Sequence, residues 1–76
     1  MSVESDYNGW RNWETWNFNL QLNNDEFLYK NVWRFSDDYE EVIRRLKIHG
    51  ITELDGMSIE DPDVDIDQIN EALNEE

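Results

Sequence analysis

The stretch DDYEEVIRRLKIHGI, residues 37–51, decides the fold because it has every feature of an amphipathic helix with defined ends. Its apolar residues recur with helical spacing. Asp37 and Glu40 have the spacing of an N-terminal capping box. The basic residues of the last turns suit the negative end of the helix dipole. Gly50 fits the left-handed position that ends such a helix, and Ile51 can pack back against the last turn.

Upstream of this stretch the pattern is less uniform. Asn12 can cap a first helix, and the tryptophans and leucines that follow recur with helical spacing. Apolar and polar residues also alternate over residues 16–22, which fits a half-buried strand, so the sequence leaves both possibilities open. Asn23 and Glu26 predict a capping box for a second helix that runs to about Phe35.

Downstream, residues 51–63 predict a connection without helix or strand. Gly56 occupies a turn in it, and Pro62 stops any helical turn that precedes it. Asp65 and Gln68 repeat the capping-box spacing, and the apolar residues after them predict a last short helix.

A chain of 76 residues allows one small domain. It has no cysteine, so stability must come from packing without disulfides. We predict an all-α domain of three or four short helices over residues 12–76, with a core of Trp, Phe and Leu side chains between residues 13 and 46. A flexible polar arm over residues 1–11 precedes it, and Trp10 at the end of that arm is expected to be exposed.

The charge of the chain is concentrated in its last third. The net charge is −13; residues 1–48 hold nine acidic and six basic side chains, and residues 49–76 hold ten acidic side chains and no Lys or Arg. Such a field repels nucleic acid and anionic membranes and attracts basic surfaces.

Duplex DNA carries one negative charge per about 1.7 Å of its axis, so a protein that imitates it must present densely spaced carboxylates. The sequence therefore predicts either a phosphate-mimicking face or a surface that only confers solubility. The candidate partner-binding residues are Glu60, Asp61, Asp63, Asp65, Asp67, Glu71 and Glu75.

Alternating aspartates over residues 61–67 have the ligand spacing of a calcium loop. However, Ile66 stands where such a loop needs Gly, and Ala72 stands where it needs a bidentate Glu. A small calcium-binding module is therefore a minor alternative, and no metal site or cofactor is predicted.

Nothing in the sequence indicates a nucleophile beside His49, the one histidine, so we expect no enzymatic activity.

Two blocks of the sequence resemble a family of small uncharacterised proteins from phages and mobile elements. The block NWETWNFNLQLNNDEFLY, residues 12–29, has an N-x-x-T-W-N start followed by N-D-E and a tyrosine. The block LDGMSIEDPDVDIDQINEAL, residues 54–73, is similar to the D-G, D-P and acidic ending of the same group. The resemblance implies a phage or plasmid origin and brings no activity or site residues with it. Small acidic proteins from such sources often inhibit host defence.

Charge and resemblance together predict a phage-encoded inhibitor that acts in the host cytoplasm. It would place its acidic face on the basic nucleic-acid site of a CRISPR effector or restriction enzyme, without contacting nucleic acid or a membrane itself. The self-repelling charge favours a monomer, and an aromatic patch would allow a dimer. The alternative is a non-catalytic adaptor that binds a host protein through an aromatic patch formed by Trp10, Tyr29 and Trp33.

Overall fold

The computed structural model describes residues 9–75 and consists mostly of short helices with one small hairpin. Within this range the α-helices are α1 (Trp13–Asn24), α2 (Glu26–Asn31), α3 (Tyr39–Ile48) and α4 (Ile66–Leu73). A 3-10 turn, Trp33–Phe35, follows α2, and strands β1 (Glu53–Leu54) and β2 (Met57–Ser58) lie between α3 and α4. The mostly helical character is as predicted, but the fold is not purely all-α.

The hairpin corrects the prediction for residues 51–63. Asp55 and Gly56 at its tip both have positive φ angles, 52° and 81°, as a type I′ turn requires. Strands β1 and β2 are antiparallel, and Leu54 pairs with Met57. Both of these side chains are buried. The hairpin therefore turns the chain sharply and also adds two apolar side chains to the core.

Residues 16–22, for which the sequence left both helix and strand open, are helical throughout and lie in α1. Asn12 caps the helix as predicted: its side-chain oxygen accepts a hydrogen bond from the backbone N–H of Thr15 over 2.9 Å. This bond satisfies one of the amides that a helix N-terminus leaves without a partner.

Helix α2 begins two residues later than predicted. The Asn23 side chain donates to the backbone oxygen of Asn19, one turn earlier, so Asn23 remains inside α1. Asp25 caps α2 instead, and its carboxylate accepts from the backbone N–H of Leu28 over 3.1 Å. The α-helix ends at Asn31, short of the predicted end, and the chain continues through the 3-10 turn.

Helix α3 is capped by Asp38, one residue after the predicted Asp37. Its C-terminal end forms as predicted. Gly50 has a φ of 78°, and the backbone N–H groups of Gly50 and Ile51 each donate to a carbonyl of the last helical turn over 2.9 Å. This pattern of two bonds is a Schellman motif.

The core draws on more of the chain than residues 13–46. Phe18, Leu22 and Leu46 are buried as predicted, whereas Phe27 and Phe35 are exposed. The hairpin, the loop after it and α4 supply further buried side chains: Leu54, Met57, Ile59, Val64 and Ile69. Because apolar burial is the main favourable contribution to folding, these later segments are part of the folded unit.

The region before α1 is joined to the domain. Residues 1–8 of the predicted polar arm lie outside the described residues. Trp10 was expected to be exposed, and that expectation is wrong: it is partly buried and packs against the core. None of the helices within residues 9–75 is long and apolar enough to cross a membrane.

Candidate functional site

Two side chains of the N-x-x-T-W-N motif hold the acidic C-terminal segment against α1. Asn12 donates from its Nδ2 to the backbone oxygen of Asp63 over 2.7 Å. The hydroxyl of Thr15 donates to the Asn12 side-chain oxygen over 2.6 Å and accepts from the backbone N–H of Asp65 over 2.8 Å. Thr15 is fully buried. The backbone of the acidic segment is therefore fixed at two points by the first turn of α1.

Helix α4 is held on a second side by the residues that precede α1. Gln68 accepts from the backbone N–H of Arg11 over 2.8 Å and donates to the backbone oxygen of Gly9 over 3.0 Å. Asp65 caps α4 as predicted, accepting from the Gln68 backbone N–H over 3.1 Å. Its other carboxylate oxygen is 3.4 Å from the Arg11 guanidinium. The first turn of α4 is thus fastened to Gly9 and Arg11, which precede α1.

The third polar residue of the motif reaches the hairpin. Asn17 is buried, and its Nδ2 donates to the backbone oxygen of Leu54 over 3.2 Å. Gln21, one turn later on α1, donates to the Asn17 side-chain oxygen over 3.2 Å. Asn12, Thr15 and Asn17 of the block at 12–29 therefore have hydrogen-bond partners in the block at 54–73. The two blocks that carry the resemblance are contact partners of each other.

Three of the seven predicted partner-binding acids have structural contacts of their own. Asp65 caps α4, and Glu60 forms an ion pair with Lys47 over 3.2 Å. Asp61 accepts from the backbone N–H of Asp63 over 2.8 Å and so closes the turn that leads into α4.

The remaining four acids form a row, which we call the acidic strip: Asp63, Asp67, Glu71 and Glu75. All four are exposed. None of them is in an ion pair within residues 9–75. Neighbours along the row share surface depressions: Asp63 and Asp67 line one, Asp67 and Glu71 the next, and Glu71 and Glu75 a third.

The spacing of the strip limits how closely it can imitate a nucleic acid. Asp67 and Glu71 lie four residues apart in α4, which corresponds to about 6 Å of rise, while Asp63 precedes the helix and Glu75 follows it. A single DNA strand carries one charge per about 3.4 Å of axis, and a duplex carries twice that density. The strip is therefore less densely charged than either and resembles part of a single strand more than it resembles a duplex.

Glu60 and Asp61 are close enough to Tyr39 for their charges to act on its hydroxyl. The pKa of the Tyr39 hydroxyl is raised to about 12, mostly by burial and in smaller part by the negative charges of Glu60 and Asp61. The hydroxyl donates to the backbone oxygen of Ile59 over 2.7 Å. The neutral phenol thus fastens the chain after the hairpin to the start of α3.

The aspartates over residues 61–67 do not converge as calcium ligands would. Within residues 9–75, no group of three or more histidine, aspartate or glutamate side chains is placed to hold a metal ion. Asp61 and Asp65 are engaged with backbone amides, as described above. The geometry therefore gives no support to the calcium-binding alternative.

The predicted aromatic patch is divided between two places. Tyr29 and Trp33 line a groove that ends at Leu73. Trp10 lines a different depression, with Gln68 and Glu71. The structure therefore does not bring the three rings into one shared depression.

Fold and site together define a small, mostly helical protein that carries a row of exposed carboxylates on a fastened helix. The chain belongs to the DUF7249 family, a family of unknown function, whose model matches residues 3–76. No curated protein and no solved structure matches the chain. Membership in the family covers both blocks noted above and carries no activity with it.

The residues that fasten the site were only partly evident from the sequence. Asn12 and Asp65 were predicted as helix caps, and both also take part in contacts between α1 and the acidic segment. Gln68 was predicted only as the capping-box partner of Asp65, and no contact was predicted for Thr15 or Asn17. The available signal for Thr15 was its position three and seven residues before Phe18 and Leu22 on one stripe of the helix, because a buried polar residue needs a hydrogen-bond partner.

Proposed function

We propose that the chain is a non-catalytic binding protein whose acidic strip occupies a basic nucleic-acid-binding surface of another protein. The observation that carries the proposal is the row of Asp63, Asp67, Glu71 and Glu75, exposed and outside any ion pair of residues 9–75. The acidic balance of residues 49–76 supports it, because no Lys or Arg in that stretch neutralises the row. A surface that served only solubility would more often mix both signs of charge.

The mode of action is competition for the cationic surface. The bonds from Asn12, Thr15 and Gln68 fix the backbone beneath the strip before any partner arrives. A preorganised row loses little conformational freedom on binding. Its charge speeds association with a cationic partner, while the apolar contacts beside it govern how long the complex lasts. Ile66, 48% exposed at the start of α4, supplies one such apolar contact.

The proposed target is a host defence protein, either a CRISPR effector or a restriction enzyme. This part of the proposal rests on the resemblance of residues 12–29 and 54–73 to proteins of phages and mobile elements. The protein would then act in the host cytoplasm. Because the strip is a single row, a channel that follows one nucleic-acid strand suits it better than a surface that grips both strands of a duplex.

A second candidate is an adaptor that binds a host protein through aromatic side chains. The observation in its favour is the groove lined by Tyr29 and Trp33, with Leu73 at its end. Such binding would depend little on salt or on competing nucleic acid, which separates it from the first candidate.

The test is capture of host proteins on the immobilised chain, with and without excess DNA or RNA. The variant Asp67→Asn, Glu71→Gln, Glu75→Gln neutralises three acids of the strip. The control Glu14→Gln, Glu40→Gln, Glu53→Gln changes the net charge equally at acids outside the strip. We expect wild type and control to capture a nucleic-acid-binding protein that excess nucleic acid releases, and the strip variant to lose it. Capture that survives both neutralisation and competition would contradict the proposal.

A further inference from the structure

Three large apolar side chains are exposed around the C-terminal end of α3. Phe27, Phe35 and Ile48 are 51%, 62% and 70% exposed. The ring centroids of Phe27 and His49 are 5.1 Å apart in a T-shaped arrangement, and the Arg45 guanidinium lies 5.8 Å from the centre of the Phe35 ring. Arg45, Ile48 and His49 share one face of the helix end because they are three and four residues apart. We call these five residues the α3 patch.

The α3 patch combines apolar area with positive charge on a strongly acidic chain. Arg45 is in no ion pair within residues 9–75, and its buried Nε has no hydrogen-bond partner there. Arg44, four residues before Ile48, forms an ion pair with Glu41 over 3.5 Å and with no other acid of residues 9–75. Exposed apolar area rimmed by polar groups is typical of an interaction surface. The adjoining cations indicate that its counterpart is acidic.

A surface of the complementary kind exists elsewhere on the same chain. It is an open depression between the turn that precedes α4 and the first turn of that helix. Its apolar lining comes from Pro62, Val64 and Ile66, and its polar lining comes from Asn12, from Arg11, which pairs with Asp65, and from the carboxylates of Asp63, Asp65 and Asp67. Three carboxylates against one guanidinium leave the depression acidic, which suits a projecting apolar side chain that is flanked by arginines.

We infer that copies of this chain associate head to tail, with the α3 patch of one copy seated in the acidic depression of the next. Ile48 enters the depression against Ile66, and Arg45 faces Asp67 across the contact. Charge is screened over about 8 Å at physiological ionic strength. Acids of the two copies that lie more than this distance apart therefore repel each other only weakly.

Because the two surfaces differ, the contact is heterologous, and a pair of copies does not form a closed dimer. Each added copy leaves one α3 patch and one depression available. The inference does not depend on the proposed function. It does imply that self-association covers Asp63 and Asp67, so a bound partner and a second copy compete for the same end of the acidic strip.

Sedimentation equilibrium on the purified chain at physiological ionic strength tests this inference. The wild type is expected to gain mass beyond a dimer as concentration rises. Arg45→Glu and Asp67→Lys should each weaken association by at least about tenfold, since each places like charges across the contact. The double variant R45E/D67K keeps the wild-type net charge, restores opposite charges across the contact and should recover association.

One matched control, Glu53→Lys, makes the charge change of Asp67→Lys at an exposed acid outside both surfaces. It should associate as the wild type does, and circular dichroism confirms that every variant is folded. A wild type that stays monomeric at millimolar concentration overturns the inference. A dimer that persists in D67K also overturns it, because such a dimer would form by a symmetric contact between two α3 patches. A double variant R45E/D67K that does not regain association overturns it as well. None of these outcomes alters the capture experiment on the acidic strip.

Discussion

At the scale of single residues, Thr15 links the first helix to the acidic segment through one hydroxyl group. Thr15→Val removes that hydroxyl, so the Asp65 amide loses its acceptor and the Asn12 side-chain oxygen loses one of its two donors. Leaving such groups unpaired lowers the free energy of unfolding by about 1–3 kcal/mol. Thr15→Ser keeps the hydroxyl and should lose clearly less. Urea unfolding of the three proteins measures the difference, and equal losses in both variants would show that the hydroxyl bonds contribute nothing.

Tyr39 makes the stability of the fold depend on pH in the alkaline range. Its pKa in the folded protein is raised to about 12 from an ordinary value of 10. Because the folded pKa is the higher one, the neutral phenol stabilises the fold fully below pH 10. This contribution falls between pH 10 and 12, where the unfolded chain ionises first, by up to about 1.4 kcal/mol per pH unit.

The matching variant is Tyr39→Phe, which cannot ionise and also loses the bond to the Ile59 oxygen. Below pH 10 the stability difference between wild type and variant should be constant, and from pH 10 upward it should shrink. Denaturant unfolding at a series of pH values provides the measurement. A difference that stays constant up to pH 12 would show that the phenol is not held neutral by the fold.

At the scale of elements, helix ends that depend on neighbouring residues could be predicted from the sequence, whereas contacts between residues far apart in the chain could not. The caps at Asn12 and Asp65 and the end of α3 at Gly50 depend on neighbouring residues, so the sequence reveals them. The start of α3 was misplaced by one residue because Asp37 and Asp38 each have a glutamate three residues later. The hairpin escaped prediction because strands of two residues show no alternation of apolar and polar side chains.

The candidate site was predictable in composition more than in geometry. All seven acids were evident from the sequence, but their division into a strip and a structural group was not. That division depends on contacts such as the Thr15 bond to Asp65, which joins residues 50 positions apart. No pattern of neighbouring residues encodes such a partner.

The Schellman end of α3 offers a test at the same scale. Gly50→Ala forces a side chain into the left-handed region at a φ of 78°. A Cβ atom there meets no other atom within 4 Å, so the cost is conformational and amounts to about 1 kcal/mol. Gly50→Asn should lose less, because asparagine tolerates this conformation. Thermal unfolding compares the variants, and an alanine variant as stable as wild type would contradict the conformational cost.

At the scale of the whole molecule, opposite charges are separated onto different surfaces. The acidic strip lies along α4, and cations gather with exposed apolar side chains at the end of α3. Local attraction between such surfaces is strong within a screening length and weak beyond it. We propose that the strip binds a cationic partner and that the α3 patch binds another copy, despite the net charge of −13.

The salt dependence of binding to the captured partner tests the acidic strip most directly. The logarithm of Kd is measured against the logarithm of salt concentration for three proteins: wild type, the strip variant D67N/E71Q/E75Q and the control E14Q/E40Q/E53Q. The slope should be shallower for the strip variant, with weaker binding at low salt, and unchanged for the control, because screening by salt weakens only the charged contacts that are present. Equal slopes and affinities for wild type and strip variant would contradict a binding role for these carboxylates.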